Sequence, residues 1–267
     1  MLNIIGIGLG DKKDISLKGL EAVKESDNVF LDGYTSMLIK EDIKALEELY
    51  QKRIKVLFRE EVEGNDNKIL KAAKKGNTSF LVIGDGLSAT THIDLILRAE
   101  KAGIKTRVIH NASVLNAVGI TGLSLYKFGQ VCSIVFPEEN QLYITAYSII
   151  AKNKGIGLHT LALLDIKRNE LTREALRKNT QERTSKLMTI KEAIKTLLRA
   201  EEKEKKSVFN EESLCVGLAR LGSETQKIAF GKAARVKDVE FGAPPHCLII
   251  PSEMHFMEEE ALNRFKI

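Results

Sequence analysis

Apolar and polar positions along the 267-residue chain fall into two alternating patterns. Residues 2–7, 28–31, 54–58, 80–83 and 106–109 are short apolar runs of strand length. Between them, residues 17–24, 38–50, 68–75 and 93–102 space their apolar side chains as helices do, with Leu17, Leu20, Ala22 and Val23 on one face. Gly103 follows the last of these as a C-cap. Strand and helix in turn over about 110 residues predict one α/β domain. The second half has another character: residues 131–136, 160–164, 214–218, 227–229 and 247–250 read as strands, and residues 140–153 and 188–206 as helices. Residues 167–189 are polar and mixed in charge, the pattern of a surface excursion. The expected architecture is two α/β domains, 1–112 and 113–267, with a ligand cleft between them.

Where two of the apolar runs end, polarity rises abruptly. Asp85, Thr90, Thr91 and His92 follow one, and Asn111 and Ser113 the other. A packed core does not call for these residues at strand ends, whereas an α/β protein binds its ligand there. A small-molecule site is the first expectation.

Composition narrows the class. Apolar residues make up 43% of the chain, enough for a core, and the charge of +5 (41 basic, 36 acidic) is too small to argue for nucleic acid. The three cysteines, Cys132, Cys215 and Cys247, are odd in number and far apart, so neither a disulfide framework nor a zinc site is expected. No apolar run is long enough to span a bilayer. The start, MLNIIGIGLGD, reads as a strand with no cationic leader, so a cytoplasmic protein is expected.

The motifs leave several readings open. GIGLGD, residues 6–11, has Asp11 where a dinucleotide fingerprint needs its third glycine, and its helix starts late, near Ser16. The glycines therefore serve either a tight turn or a close approach of backbone to a ligand. Asp85 in GDG either accepts hydrogen bonds from a ligand's ribose or amino group or closes an Asx-turn. Asp94, in the first turn of its helix, is structural. Ser113 in HNAS caps the helix that follows, and the same geometry points free N–H groups at a ligand carboxylate. His246 in PPH is either a base or a satisfied polar residue. With no Ser–His–Asp order, metal-spaced histidine pair or Walker loop, no catalytic residue and no metal are assigned.

Taken together, GIGLGDKKDISLKGLEAV, YTS at residues 34–36, REEVE at 59–63, ATTHIDLILRA, VIHNASVLNAVG, GLHTLALLDIK and CVGLARLGSETQKI resemble the diphthine synthase family. That family is a branch of the tetrapyrrole-methylase type of S-adenosylmethionine-dependent methyltransferases. The resemblance implies a homodimer of two-domain α/β chains with folded S-adenosylmethionine in the cleft. It also implies translation elongation factor 2 as substrate, at a histidine bearing a 3-amino-3-carboxypropyl group, and trimethylation of the amine with a fourth methyl as an ester in the eukaryotic branch. Family cofactor contacts match Leu9, Asp85, Ser88, Ser113, Val114, Leu164, Leu221 and His246. Two positions depart from the pattern: Gly86 stands where the family has proline, and Gln141 where it has an aromatic residue, typically tryptophan. The rival expectations are a precorrin-like tetrapyrrole methylase and a S-adenosylmethionine-binding protein without turnover. The apolar run of residues 119–129 is expected either in the core or across the dimer axis.

Overall fold

The computed structural model describes residues 1–36, 43–64, 67–138, 141–172, 180 and 182–267. Two compact units emerge: Met1–Val114 with Ile166–Lys186, and Leu115–Asp165 with Leu187–Ile267. The expected division at 112/113 thus lies two residues from the first break. Residues 166–186, expected in the second domain, belong to the first unit.

The first unit is built on a five-stranded parallel sheet. Its strands are β1 (Leu2–Gly6), β2 (Asn28–Asp32), β3 (Ile54–Leu57), β4 (Thr78–Val82) and β5 (Thr106–Ile109), in the order β3-β2-β4-β1-β5. Every residue of β1 and β4 is buried, which is why both lack an exposed polar alternation. Successive β1 side chains enter opposite layers: Leu2 and Ile4 join Phe30, Phe80 and Leu95, while Ile5 joins Val23, Leu46 and Leu81. Helices α1 (Leu17–Lys24), α2 (Ile43–Tyr50), α3 (Arg59–Glu63), α4 (Lys68–Lys75) and α5 (Ile93–Lys101) follow their strands. The start expected for α2, residues 38–42, lies outside the described residues. Ser16 caps α1 by accepting from the Gly19 N–H at 3.1 Å, and Asn67 caps α4 by accepting from the Leu70 N–H at 3.0 Å. Gly103, at φ +71°, donates its N–H to the Glu100 carbonyl and closes α5 as expected.

α6 (Val114–Ala117) comes next in the chain. The second unit's sheet contains β6 (Cys132–Ile134), β7 (Thr160–Leu164), β10 (Leu214–Ala219), β11 (Lys227–Lys232) and β12 (His246–Ile250), in the order β11-β10-β12-β7-β6. Only the β6–β7 pair is parallel. Its core joins Ile150 of α7 (Thr145–Gly155) and Ile194 and Leu197 of α8 (Ile190–Glu204) to Phe209, Cys215 and Leu248. Short α9 (Ala233–Val236) and α10 (Phe256–Asn263) complete it. The helix expected at 140–153 begins only at Thr145.

The polar excursion of residues 167–189 is structured where it is described; its residues 173–179 and 181 lie outside the described residues. β8 (Ile166–Leu171) and β9 (Arg183–Leu187) pair as a two-stranded sheet, tied to the rest of the first unit by polar contacts. Arg59 pairs with Glu170 at 3.2 Å, Arg183 with Glu60 at 2.9 Å, and Arg168 donates to the Ser36 carbonyl at 2.9 Å. In the 119–129 run the structure divides the residues: Leu123 is buried, while Ile120, Leu125 and Tyr126 are exposed.

Candidate active site

At the carboxyl ends of β1, β4 and β5 the three polar loops of the first unit are laced together. Gly8 and Gly84 exchange backbone hydrogen bonds of 3.2 and 2.7 Å at φ +82° and +84°, a left-handed conformation that glycine adopts without strain. A Cβ on Gly6 would stand 2.6 Å from the Gly84 carbonyl oxygen. Two loops thus cross at a distance no side chain permits. The GIGLGD turn is closed by Asp14, whose carboxylate accepts from the N–H groups of Leu9 and Gly10 at 3.2 and 2.7 Å. Those donors are spent within the turn, a second reason why no pyrophosphate belongs there. Leu9 itself lies over Gly84, its Cδ2 3.6 Å from where a Cβ would be.

Asp85 holds the centre. Its Oδ1 accepts from the Leu87 N–H at 3.0 Å and the Ser88 hydroxyl at 3.1 Å, and its Oδ2 from His110 Nδ1 at 2.9 Å and the Asn111 N–H at 3.1 Å. Burial alone would raise its pKa, but the N–H groups of Leu87 and Asn111, then His110 and Ser88, outweigh it and hold the carboxyl below its ordinary value. The Asx-turn reading is therefore realised, and it spans two loops. Asn111 adds bonds from its amide to the carbonyls of Gly6 (3.0 Å) and Asp14 (2.9 Å). Ser113 is buried just before α6, whose first residue is Val114.

Beside these loops YTS, REEVE and ATTH meet. His92, 2% exposed, directs Nδ1 at the Gly86 carbonyl (3.0 Å) and Nε2 toward Asp32 Oδ2 and the Tyr34 hydroxyl, both at 3.4 Å. Thr90 donates to the same Gly86 carbonyl at 2.8 Å, and Thr91 to Glu63 at 2.8 Å. The Arg59 guanidinium stacks 5.3 Å from the Tyr34 ring centre. Burial, then the charges of Asp32 and Glu63, push the Tyr34 phenol well above its ordinary range. In the sequence YTS and REEVE carried only the resemblance, whereas Thr90, Thr91 and His92 of ATTH already marked a polar strand end; the polar residues following β2 and β3 were the signal that the three share one place.

In the second unit Leu164, Leu221 and His246 gather at one end of the sheet. Leu164 ends β7, and Leu221 follows β10 by two residues. His246 opens β12 opposite Ala219, and its successor Cys247 faces Leu163. All three are at most 9% exposed. The Gly242 and Ala243 backbone lies within loose hydrogen-bond reach of the His246 ring, although neither ring nitrogen makes a bond of strict geometry. Burial first, then the Arg220 charge, lowers its pKa, which favours the neutral imidazole.

Each unit by itself offers surface of the kind S-adenosylmethionine takes: in the first, the glycine crossing keeps side chains off the strand ends beside Leu9, and in the second, Leu164 and Leu221 offer apolar surface near the buried imidazole of His246. Among the described residues, no group of three or more His, Cys, Asp or Glu side chains is placed to hold a metal ion. No described helix is long and apolar enough to cross a membrane.

A parallel α/β unit with polar strand ends, followed by a mixed second sheet, is the architecture of the tetrapyrrole methylases, a class of S-adenosylmethionine-dependent methyltransferases. The family model described as Tetrapyrrole (Corrin/Porphyrin) Methylases matches residues 1–237. The chain is 45% identical to the diphthine methyl ester synthase of Homo sapiens, covering 100% of this chain and 95% of that one. It is 43% identical to the diphthine methyl ester synthase of Dictyostelium discoideum (100% and 98%), and 42% to the diphthine synthase of Methanocaldococcus jannaschii (98% and 98%). A crystal structure of a diphthine synthase superposes with a TM-score of 0.83 at 35% identity, over 99% of this chain and 95% of the other. A crystal structure from Entamoeba histolytica gives 0.89 at 41%, over 100% and 98%. Within the tetrapyrrole methylases, the chain belongs to the diphthine synthase family.

Proposed function

We propose that this methyltransferase acts in diphthamide biosynthesis, repeatedly methylating the 3-amino-3-carboxypropyl-histidine of translation elongation factor 2. The observation that carries the reading is full-length similarity to diphthine synthases, with the motifs behind it concentrated at the strand ends of the first unit. Leu9, Asp85, Ser88, Ser113 and Val114 of the first unit and Leu164, Leu221 and His246 of the second are the proposed contacts of S-adenosylmethionine. When bound, the cofactor supplies a methyl group already activated on a sulfonium. The chain's own part is then positioning. Leu9, Leu164 and Leu221 exclude water, Asp85 fixes the loops that carry Ser88 and Ser113, and His246 offers a neutral polar edge. The acceptor amine attacks only when neutral; amines titrate at about 8 to 10, so about 0.1–10% is ready at pH 7, and burial raises that share. No base is assigned.

The names of the Homo sapiens and Dictyostelium discoideum relatives, both methyl ester synthases, favour an ester among the methyls that this enzyme adds. We place the enzyme in the cytoplasm, as a homodimer that uses the exposed Ile120, Leu125 and Tyr126. Incubation with labelled S-adenosylmethionine and elongation factor 2 bearing the unmethylated precursor tests the activity. Mass spectrometry counts the methyls, and mild alkali releases only an ester. Label on a precorrin instead would establish the rival methylase, and binding without transfer would leave a protein without turnover.

A further inference from the structure

Two turns at one end of the second sheet are held by a single side chain. Arg220, the residue after β10, spends its guanidinium on neutral oxygens. Nε donates to the carbonyl and the hydroxyl of Thr225, each at 3.1 Å, and Nη2 to the same carbonyl at 2.8 Å. Nη1 donates to the Phe241 carbonyl at 2.8 Å and also to the Ala243 carbonyl. The Arg220 N–H donates to the Pro245 carbonyl at 2.9 Å. A planar fork of five N–H donors can join two turns in this way, and an ammonium cannot. The acceptors are uncharged, so they do not cancel the positive charge.

What the fork holds is as informative as how. Leu221 is the next residue in the chain, and His246 follows Pro245 directly. The charged groups acting on the His246 ring are Arg220, on the β10 side, and Glu240, in the turn before β12, which opposes it. The Phe241 ring, centred 6.0 Å away, is uncharged. His246 is thus 91% shielded, touched by the Gly242 and Ala243 backbone, and depends for its place on a turn that the Arg220 guanidinium ties.

We propose that Arg220 is a positioning residue for methyl transfer, stapling residues 220–226 to residues 241–245 so that Leu221 and His246 are fixed for S-adenosylmethionine. This rests on the cofactor contacts proposed above. Two substitutions in the full-length chain separate its two effects: Arg220→Lys keeps the charge and loses the fork, and Arg220→Met loses both. The readouts are the NMR titration of His246 without cofactor and calorimetry of S-adenosylmethionine binding. Both variants are expected to bind about tenfold more weakly, as the loss of one charge-assisted hydrogen bond would give. His246 is expected to titrate at higher pH in Arg220→Met and close to the original chain in Arg220→Lys. If Arg220→Met does not fold, Arg220→Lys decides the staple alone. Unchanged affinity in folded Arg220→Lys overturns the staple, and an unchanged His246 titration in Arg220→Met overturns the electrostatic part. An original chain that binds no S-adenosylmethionine overturns the cofactor reading, and the proposal with it.

Discussion

Replacing Asp85 by alanine removes the acceptor at which two loops of the first unit meet. Four donors lose their partner: the N–H groups of Leu87 and Asn111, the Ser88 hydroxyl and His110 Nδ1. A buried N–H left without an acceptor costs about 1–3 kcal/mol, and the lower half of that range applies because these bonds are only partly buried. The Ser88 hydroxyl can rotate to water. The His110 side chain is 70% exposed, and such a pair contributes under about 1 kcal/mol. The expected loss is therefore about 2–4 kcal/mol, carried mainly by the two backbone groups. Asp85→Asn, which keeps one acceptor oxygen, should lose about half as much. Urea unfolding followed by circular dichroism measures the difference, and hydrogen exchange at the Leu87 and Asn111 amides shows where it arises. Because the folded pKa lies below the ordinary 3.8, the stabilisation is complete above that pH and is lost as pH falls through the folded value. The gap between the original chain and Asp85→Ala must therefore narrow in acid. A gap below about 0.5 kcal/mol at neutral pH, or one that widens in acid, would refute the reasoning.

Three further outcomes follow. A Cβ on Gly86 would stand 2.7 Å from Ile4 Cγ2, so Gly86→Ala should destabilise by about 1–3 kcal/mol and Ile4→Leu, unbranched at Cβ, should recover most of it; denaturation of the double variant decides. Cys132, Cys215 and Cys247 are buried, with thiols pushed up to about 12, so a thiol reagent at pH 8 should find them inert until urea is added; rapid labelling of any one contradicts this. Burial raises the Glu201 pKa, but the Phe209 N–H, the Tyr147 hydroxyl and the Ser207 and Val208 N–H groups bring it down from 4.5 to about 2. Its stabilisation is present above pH 4.5 and is lost on the way to pH 2, so Glu201→Gln should flatten the stability profile in that window alone, as acid titration of unfolding will show.

The first unit's strands and most of its helices were legible because burial on both faces leaves apolar runs, and because Ser16 announces a helix start; the short α3 was not read. The β8–β9 pair was not. Lys167, Arg168, Asn169 and Glu170 present no apolar face, and the pair is held by ions and carbonyls contributed from more than a hundred residues away. The Asp85 ambiguity had a similar origin. The Leu87 N–H is a local Asx-turn partner that the motif predicts, but the Asn111 N–H arrives 26 residues later. His246 was left between two readings because its environment is set partly by Arg220, which the pairing of β10 with β12 brings near.

The return of residues 166–186 to the first unit means that the polypeptide crosses between units three times. During synthesis, therefore, the amino-terminal unit cannot be finished when its fifth strand has left the ribosome. Arg59 and Glu60 wait for Glu170 and Arg183, by which time the opening stretch of the second unit, Leu115–Asp165, has also been made. Cutting the gene after Val114 would give not an independent half but one lacking the β8–β9 pair and its ion pairs with Arg59 and Glu60. Such a chain is built to mature as a whole, and a truncation within residues 166–186 should impair the unit that precedes it in the sequence.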